Sequence, residues 1–163
     1  MTEPPAGAAL SIDLVSEAAT SALAARLARA SRAGDVIALR GELGSGKTSL
    51  ARAFIRTLGR GDEEVPSPTF TLVEVYGVGE GLPAIWHFDL FRLQKPEEVH
   101  ELGFEEALAG GISLIEWPER LGALLPREHL DLTLLAGSDP ARRTARLVPS
   151  PVWLSRLEGI IGS

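Results

Sequence analysis

The segment GELGSGKTS, residues 41–49, carries the residue types and spacing best suited to chemistry in this sequence. Gly41, Gly46, Lys47 and Thr48 fit the pattern G-x-x-x-x-G-K-[ST], which is typical of the P-loop, a loop that binds nucleotide phosphates. The glycines let backbone N–H groups face phosphate oxygens, and the helix that follows contributes the positive end of its dipole. We expect Lys47 to contact the β- and γ-phosphates and the Thr48 hydroxyl to coordinate Mg²⁺.

Two acidic residues that end apolar runs are candidates for completing this site. Asp89 ends AIWHFD and Glu116 ends GISLIE. A buried carboxylate is costly unless it is paired, and in many P-loop proteins an acid at the end of a strand holds the metal. Taken singly, either acid is better explained as a strand end that faces solvent. Together, beside a P-loop, they predict that one binds Mg²⁺ and the other orients or deprotonates the attacking water.

A third candidate is the loop SPTF, residues 67–70, which follows the P-loop helix. Hydroxyl-bearing loops in this position sense the γ-phosphate in nucleotide switches. Ser67 and Thr69 have the hydroxyl groups for this contact. The four residues alone are explained as well by a proline turn that leads into a strand.

The composition bounds the class of protein. The chain has 163 residues, a formal net charge of −6, three histidines and no cysteine. Disulfides and Cys-ligated zinc are therefore excluded, and the histidines are expected to be structural or exposed. No apolar run approaches the roughly 20 residues of a membrane span, and no secretory signal opens the chain, so a cytoplasmic location is predicted. The acidic balance argues against autonomous nucleic-acid binding.

The helices and strands that must position these residues are predicted from hydrophobic periodicity, from helix-capping residues and from the glycines and prolines that end such elements. Residues 1–163 are predicted to form one domain, in which residues 1–12 are a loose N-terminal arm. Helices are expected at about 16–32, 48–58, 96–103 and 151–161, and strands at 34–40, 70–76, 84–90, 111–117, 129–135 and 144–148.

These elements predict the fold class. Strands flanked by helices indicate a three-layer α/β domain of the P-loop NTPase type. Gly-rich GVGEGLP and the segment GSDPARR each separate two strands at hairpin spacing. A central sheet of mixed parallel and antiparallel strands is therefore expected.

Taken in order, the segments GDVIALRGELGSGKTSLARAF, VPSPTFTLVEVY, WHFDLFRL, ELGF and LIEWPERLGALLP resemble the TsaE (YjeE) family of bacterial ATPases. The resemblance runs from about residue 16 to 148. One departure is Phe91, where the family usually has tyrosine in H-x-D-L-Y-R-L, which removes a hydroxyl group.

The resemblance implies a role in making threonylcarbamoyladenosine in tRNA. It implies an ATPase that is weak alone, depends on Mg²⁺ and acts with the partner subunits TsaB and TsaD, which bring the tRNA. It implies nucleotide contacts at Gly41, Gly44, Ser45, Gly46, Lys47, Thr48, Ser49, Thr69 and Arg143. Thr48 and Glu116 match the magnesium positions, Lys47 is assigned to catalysis, and Asp89 matches an acid that acts in catalysis or supports the metal without binding it directly. Trp117 is explained equally by core packing or by a role in the site.

Two other functions remain open. A small-molecule kinase has the same size and P-loop, but it needs an arginine-bearing lid, and the loop at 60–69 contains only Arg60. A switch that binds nucleotide without useful turnover is disfavoured by the two acids.

Overall fold

The structure, a computed structural model, describes residues 9–59, 65–77, 79 and 81–161. The described residues form one sheet of seven strands. The strands are β1 Leu10–Leu14, β2 Val36–Arg40, β3 Val73–Tyr76, β4 Ile85–Asp89, β5 Ile112–Glu116, β6 Leu130–Ala136 and β7 Arg143–Val148. The α-helices are α1 Glu17–Ala30, α2 Lys47–Leu58, α3 Phe104–Gly110 and α4 Pro151–Ile161, and 3₁₀ helices span Pro96–Leu102 and Pro118–Leu124. No described helix is long and apolar enough to cross a bilayer.

The strand order in the sheet is β1-β7-β6-β2-β5-β4-β3. The four central strands, β6, β2, β5 and β4, run parallel, while β7 and β3 pair antiparallel with β6 and β4. The hairpins predicted from the sequence place these antiparallel strands beside the parallel centre. The expected mixed α/β sheet is thus confirmed.

Helices cover both faces of the sheet, which gives three layers. The larger apolar cluster joins α1, α2 and α4 to one face, with Phe54, Ile37 and Trp153 among its fully buried side chains. The smaller cluster lies on the opposite face, where Phe88 packs edge-on against Phe104 of α3 at 5.8 Å between ring centroids. Alternate residues of the buried strands serve the two clusters, because successive strand side chains point to opposite faces.

Parallel pairing brings the carboxyl ends of β2, β5 and β4 to one edge of the sheet. Leu39 aligns with Glu116, and Glu116 aligns in turn with Asp89. The loop between β2 and α2 leaves this same edge, so the register places both acids beside the P-loop. Ligands in open α/β sheets bind at this edge.

Four details differ from the expectations. Residues 10–12 were expected in a loose arm, but they belong to β1, which pairs with β7 from Leu10 to Leu14; residues 1–8 lie outside the described part. Strand β3 begins at Val73 and not at residue 70, because residues 69–72 form a turn in which Leu72 has a φ of +70°. Helix α3 and the 3₁₀ helix after Trp117 were not expected. Residues 60–64, including the Arg60 weighed above for a lid, are not described.

Candidate functional site

The P-loop connects β2 to α2 through backbone conformations that favour glycine. Gly41, Gly44 and Gly46 have φ values of +145°, +80° and +104°. A Cβ on Gly41 would lie 2.7 Å from the backbone oxygen of Leu134 on β6, so the loop passes too close to the sheet for any side chain there. Helix α2 begins directly after Gly46, which leaves its first N–H groups turned towards the cavity.

Lys47 is the first residue of α2 and only 5% exposed. Its ammonium donates to the backbone oxygens of Gly41 and Glu42 and lies 3.8 Å from the centroid of the Trp117 ring. Burial lowers the pKa of Lys47, and the negative charges of Glu116, Glu119 and Asp89 oppose this shift. The lysine is therefore held at the loop by contacts that a phosphate can replace.

Thr48 and Glu116 join the P-loop helix to the end of β5. The Thr48 hydroxyl is 3.0 Å from Oε1 and 3.1 Å from Oε2 of Glu116. Glu116 is 2% exposed, and its Oε2 is also 2.7 Å from Nε2 of the fully buried His87. A hydroxyl and a carboxylate held together are oxygen donors of the kind that Mg²⁺ prefers.

Asp89, at the end of β4, is 4% exposed and fixed through both carboxylate oxygens. Its Oδ2 accepts from the Thr69 hydroxyl at 3.0 Å, and its Oδ1 accepts from the backbone N–H of Phe91 at 3.1 Å. Ser67 Oγ lies 2.8 Å from Thr69 Oγ1, so the SPTF loop is tied to this acid through its two hydroxyls. The loop and Asp89 therefore form one hydrogen-bonded unit beside the P-loop.

Arg143, the first residue of β7, is bonded to the P-loop backbone. Its Nε donates to the backbone oxygen of Ser45 at 2.5 Å, and its Nη2 is 3.3 Å from the backbone oxygen of Gly44. These bonds fix the backbone of the P-loop at Gly44 and Ser45. The Ser45 hydroxyl is buried and has no partner within the described structure, which leaves a polar group available to a ligand.

These groups surround a cavity of about 270 Å³. Its lining residues are Glu42, Leu43, Gly44, Ser45, Gly46, Lys47, Thr48, Ser49, Ser67, Thr69, Asp89, Glu116, Trp117 and Arg143. Every predicted site residue is among them except Gly41, which lies behind the loop and contacts Lys47 through its carbonyl. Trp117, for which the sequence left two explanations, lines the cavity beneath the Lys47 ammonium.

The residue types fit a magnesium ion that is shared with phosphate. No group of three or more His, Cys, Asp and Glu side chains suited to a metal occurs among the described residues. Mg²⁺ typically takes one or two protein oxygens and completes its octahedron with water and substrate phosphate. Thr48 and Glu116 offer such a partial set, at 3.0 Å from each other.

His87 is the residue of this site that the sequence analysis missed. A structural or exposed role was expected, but the side chain is fully buried against Glu116. The available signal was its spacing from Asp89, since residues two apart on a strand face the same side. His87 is also the first residue of the H-x-D-L-Y-R-L motif, of which only Asp89 was assigned a role from the sequence.

Comparison with known proteins places the chain among relatives with one shared description. A family model described as "Threonylcarbamoyl adenosine biosynthesis protein TsaE" matches residues 14–145. The chain is 42% identical over 123 residues to a Rickettsia conorii protein named tRNA threonylcarbamoyladenosine biosynthesis protein TsaE, covering 76% of this chain and 69% of the relative. A Bacillus subtilis protein of the same name is 35% identical over 124 residues, covering 76% and 75%.

A solved structure has the same fold. The crystal structure of Bacillus subtilis YdiB superposes with a TM-score of 0.73 at 25% identity and covers 93% of both chains. The P-loop NTPase-like architecture expected from the sequence is therefore confirmed.

Proposed function

This chain belongs to the TsaE family of threonylcarbamoyl adenosine biosynthesis proteins, and from that premise we propose that it is a Mg²⁺-dependent ATPase required for threonylcarbamoyladenosine modification of tRNA. The observation that carries the ATPase assignment is the hydrogen bond that the Thr48 hydroxyl shares between the two carboxylate oxygens of Glu116, which joins the P-loop to a buried acid at 3.0 and 3.1 Å. A P-loop that only supported the fold would not need a buried carboxylate at this point, because burying one is costly.

Within this proposal each residue of the cavity has a separate task. The N–H groups of residues 44–48 bind the phosphate chain, and Lys47 exchanges its contacts with the Gly41 and Glu42 carbonyls for the β- and γ-phosphate oxygens. Thr48 and Glu116 hold Mg²⁺, which when bound neutralises charge on the phosphates. Asp89 orients the attacking water and accepts its proton. Thr69, which donates to Asp89, contacts the γ-phosphate, so the SPTF loop responds to whether that phosphate is present.

The nucleoside has a place next to this cavity. A larger cavity of about 460 Å³ lies between α1 and α2 and shares Gly46, Ser49 and Arg143 with the first. Thr20 of α1 and Arg52 of α2 line its wall and supply polar groups for a sugar or a base. We propose that ribose and adenine lie in this larger cavity. The phosphate chain would then pass from one cavity to the other beside the three residues that line both.

Three variants separate the proposed tasks. Lys47→Ala should abolish ATP binding, because it removes the ammonium proposed to contact the β- and γ-phosphates, while Arg143, a second cation that lines the cavity, is bonded to P-loop carbonyls. Glu116→Ala should lose Mg²⁺-dependent ATP binding, whereas Asp89→Asn should keep binding and lose turnover. Calorimetry and phosphate release measure both properties. Unchanged behaviour of Lys47→Ala would refute the nucleotide site, and exchanged phenotypes of the two acid variants would exchange their roles.

The partners and the reaction class are tested together. We propose that TsaB and TsaD stimulate turnover, that tRNA is reached only through them, and that the protein acts in the cytoplasm. Stimulation in trans by a completing group reaches about 10³–10⁵-fold in GTPases. Phosphate release across a titration of the TsaB–TsaD pair should rise, and tRNA modification over many turnovers should need this chain. A labelled small molecule in place of free phosphate would instead favour the kinase alternative.

A further inference from the structure

His87 lies where it can control the metal-binding carboxylate without touching nucleotide. Its Nε2 is 2.7 Å from Oε2 of Glu116, both side chains are buried, and His87 does not line the nucleotide cavity. Resting on the proposed function, we infer that His87 is a positioning residue: its hydrogen bond fixes the Glu116 carboxylate beside Thr48 and thereby sets the affinity for Mg²⁺.

The strand register produces this contact. His87 aligns with Leu114 on the neighbouring parallel strand, and Glu116 is two residues further along on the same face. Asp89, also on that face, aligns directly with Glu116 but is held instead by Thr69 and the Phe91 N–H. The two acids are thus fixed by different donors, and only Glu116 depends on His87.

The donor and acceptor groups available define the direction of the hydrogen bond between His87 and Glu116. An ionised carboxylate only accepts, so Nε2 carries the hydrogen and donates it to Glu116. The opposite nitrogen, Nδ1, is buried without a partner in the described structure, and an unpaired N–H there would be costly. The bond therefore needs a hydrogen on Nε2, and the buried ring then orients the Glu116 carboxylate from a fixed direction.

Without His87, the carboxylate would be held through Thr48 alone. Thr48 Oγ1 is itself proposed to face the metal, so it cannot hold Glu116 in the same way when Mg²⁺ binds. His87 supplies a bond to Oε2 from a side chain that does not line the cavity and is not proposed to bind the ion. Loss of such supporting hydrogen bonds typically costs 10–100-fold in metal affinity.

A matched pair of substitutions separates positioning from core packing. In His87→Gln the amide reaches the place of Nε2, whereas in His87→Asn it reaches only that of Nδ1, although both variants place a polar amide in the same buried space. Binding of a non-hydrolysable ATP analogue is titrated with Mg²⁺ by calorimetry. We expect His87→Asn to raise the Mg²⁺ concentration needed for binding about 10–100-fold. His87→Gln should recover most of the wild-type Mg²⁺ affinity. In excess EDTA, both variants should bind the analogue as the wild type does. Equal Mg²⁺ requirements for the two variants would overturn the inference.

A measurement on the wild-type protein keeps the inference testable if a variant does not fold. Long-range ¹H–¹⁵N spectra report the tautomer of each of the three histidines. His87 Nε2 should carry a hydrogen, and its signals should shift when Mg²⁺ and the analogue are added together. An Nε2 without a hydrogen, or signals that do not respond, would contradict the assignment. Wild-type protein whose analogue binding ignores Mg²⁺ would refute the proposed function itself, whereas Mg²⁺-dependent binding that His87→Asn leaves intact would refute only this inference.

Discussion

Replacing Gly41 with alanine tests how closely the P-loop must approach the sheet. Gly41 has a φ of +145°, and a Cβ there would lie 2.5 Å from Ser45 Oγ and 2.7 Å from the backbone oxygen of Leu134. The Ser45 side chain can rotate away, but the Leu134 carbonyl belongs to β6 and cannot move without disturbing that strand. Backbone strain costs about 1–3 kcal/mol and overpacking about 1–3 kcal/mol, so we expect a loss of about 2–6 kcal/mol in the free energy of unfolding.

Urea denaturation measures this loss, and Gly44→Ala is the matched control. Gly44 also has a positive φ, +80°, but a Cβ there meets no atom within 4 Å. Its substitution should therefore cost only the left-handed backbone penalty of about 1–2 kcal/mol. ATP affinity of Gly41→Ala should fall as well, because relief of the clash moves the loop that carries Lys47. Equal losses of stability in the two variants would refute the close approach to β6.

Two further predictions concern stability. In Gly111→Ala the new Cβ would lie 2.5 Å from Trp86 Cδ1, so the free energy of unfolding should fall by about 1–3 kcal/mol. In the control Gly110→Ala the new Cβ would meet no atom within 4 Å, so this variant should be neutral or slightly stabilised. Equal urea midpoints for the two variants would contradict this prediction. Burial lowers the pKa of His129, but its hydrogen bonds to Asp131 and to a backbone carbonyl raise this pKa by more, so the net shift is upward. The stabilisation of the folded state by protonated His129 is complete below the unfolded pKa of about 6.5 and is lost as pH rises through the folded pKa. His129→Gln should therefore lower the free energy of unfolding more near pH 5.5 than near pH 8.5. Identical losses at the two pH values would refute this prediction.

Elements with a strong local pattern could be predicted from the sequence, whereas those formed by tertiary contacts could not. The first helix was expected to begin at about residue 16, and Ser16 caps it: its Oγ accepts from the N–H of Ala19 at 3.1 Å. Helix α3 spans only seven residues, too few for periodicity, and its Phe104 and Ala107 are buried against the smaller cluster. Strand β1 follows a proline-rich start and exists because β7 offers it an edge to pair with.

The same division applies to the candidate site. The P-loop residues are local in sequence, and the two acids were predicted because each ends an apolar run. The contacts of Arg143 with the carbonyls of Ser45 and Gly44 join residues 98 and 99 positions apart, and no local pattern indicates them. His87 likewise becomes part of the site only when β4 pairs with β5.

The buried charges of the site explain why metal and nucleotide should bind together. Lys47, Asp89 and Glu116 are each at most 5% exposed, and one positive and two negative charges leave one negative charge. Hydroxyl donors from Thr48 and Thr69 stabilise the carboxylates but do not change this sum. A phosphate chain alone would therefore enter a site of like charge, which is unfavourable in a partly dry cavity. A divalent cation reverses the sum to one positive charge, so on the proposed function we expect Mg²⁺ to be a condition of tight ATP binding as well as of turnover.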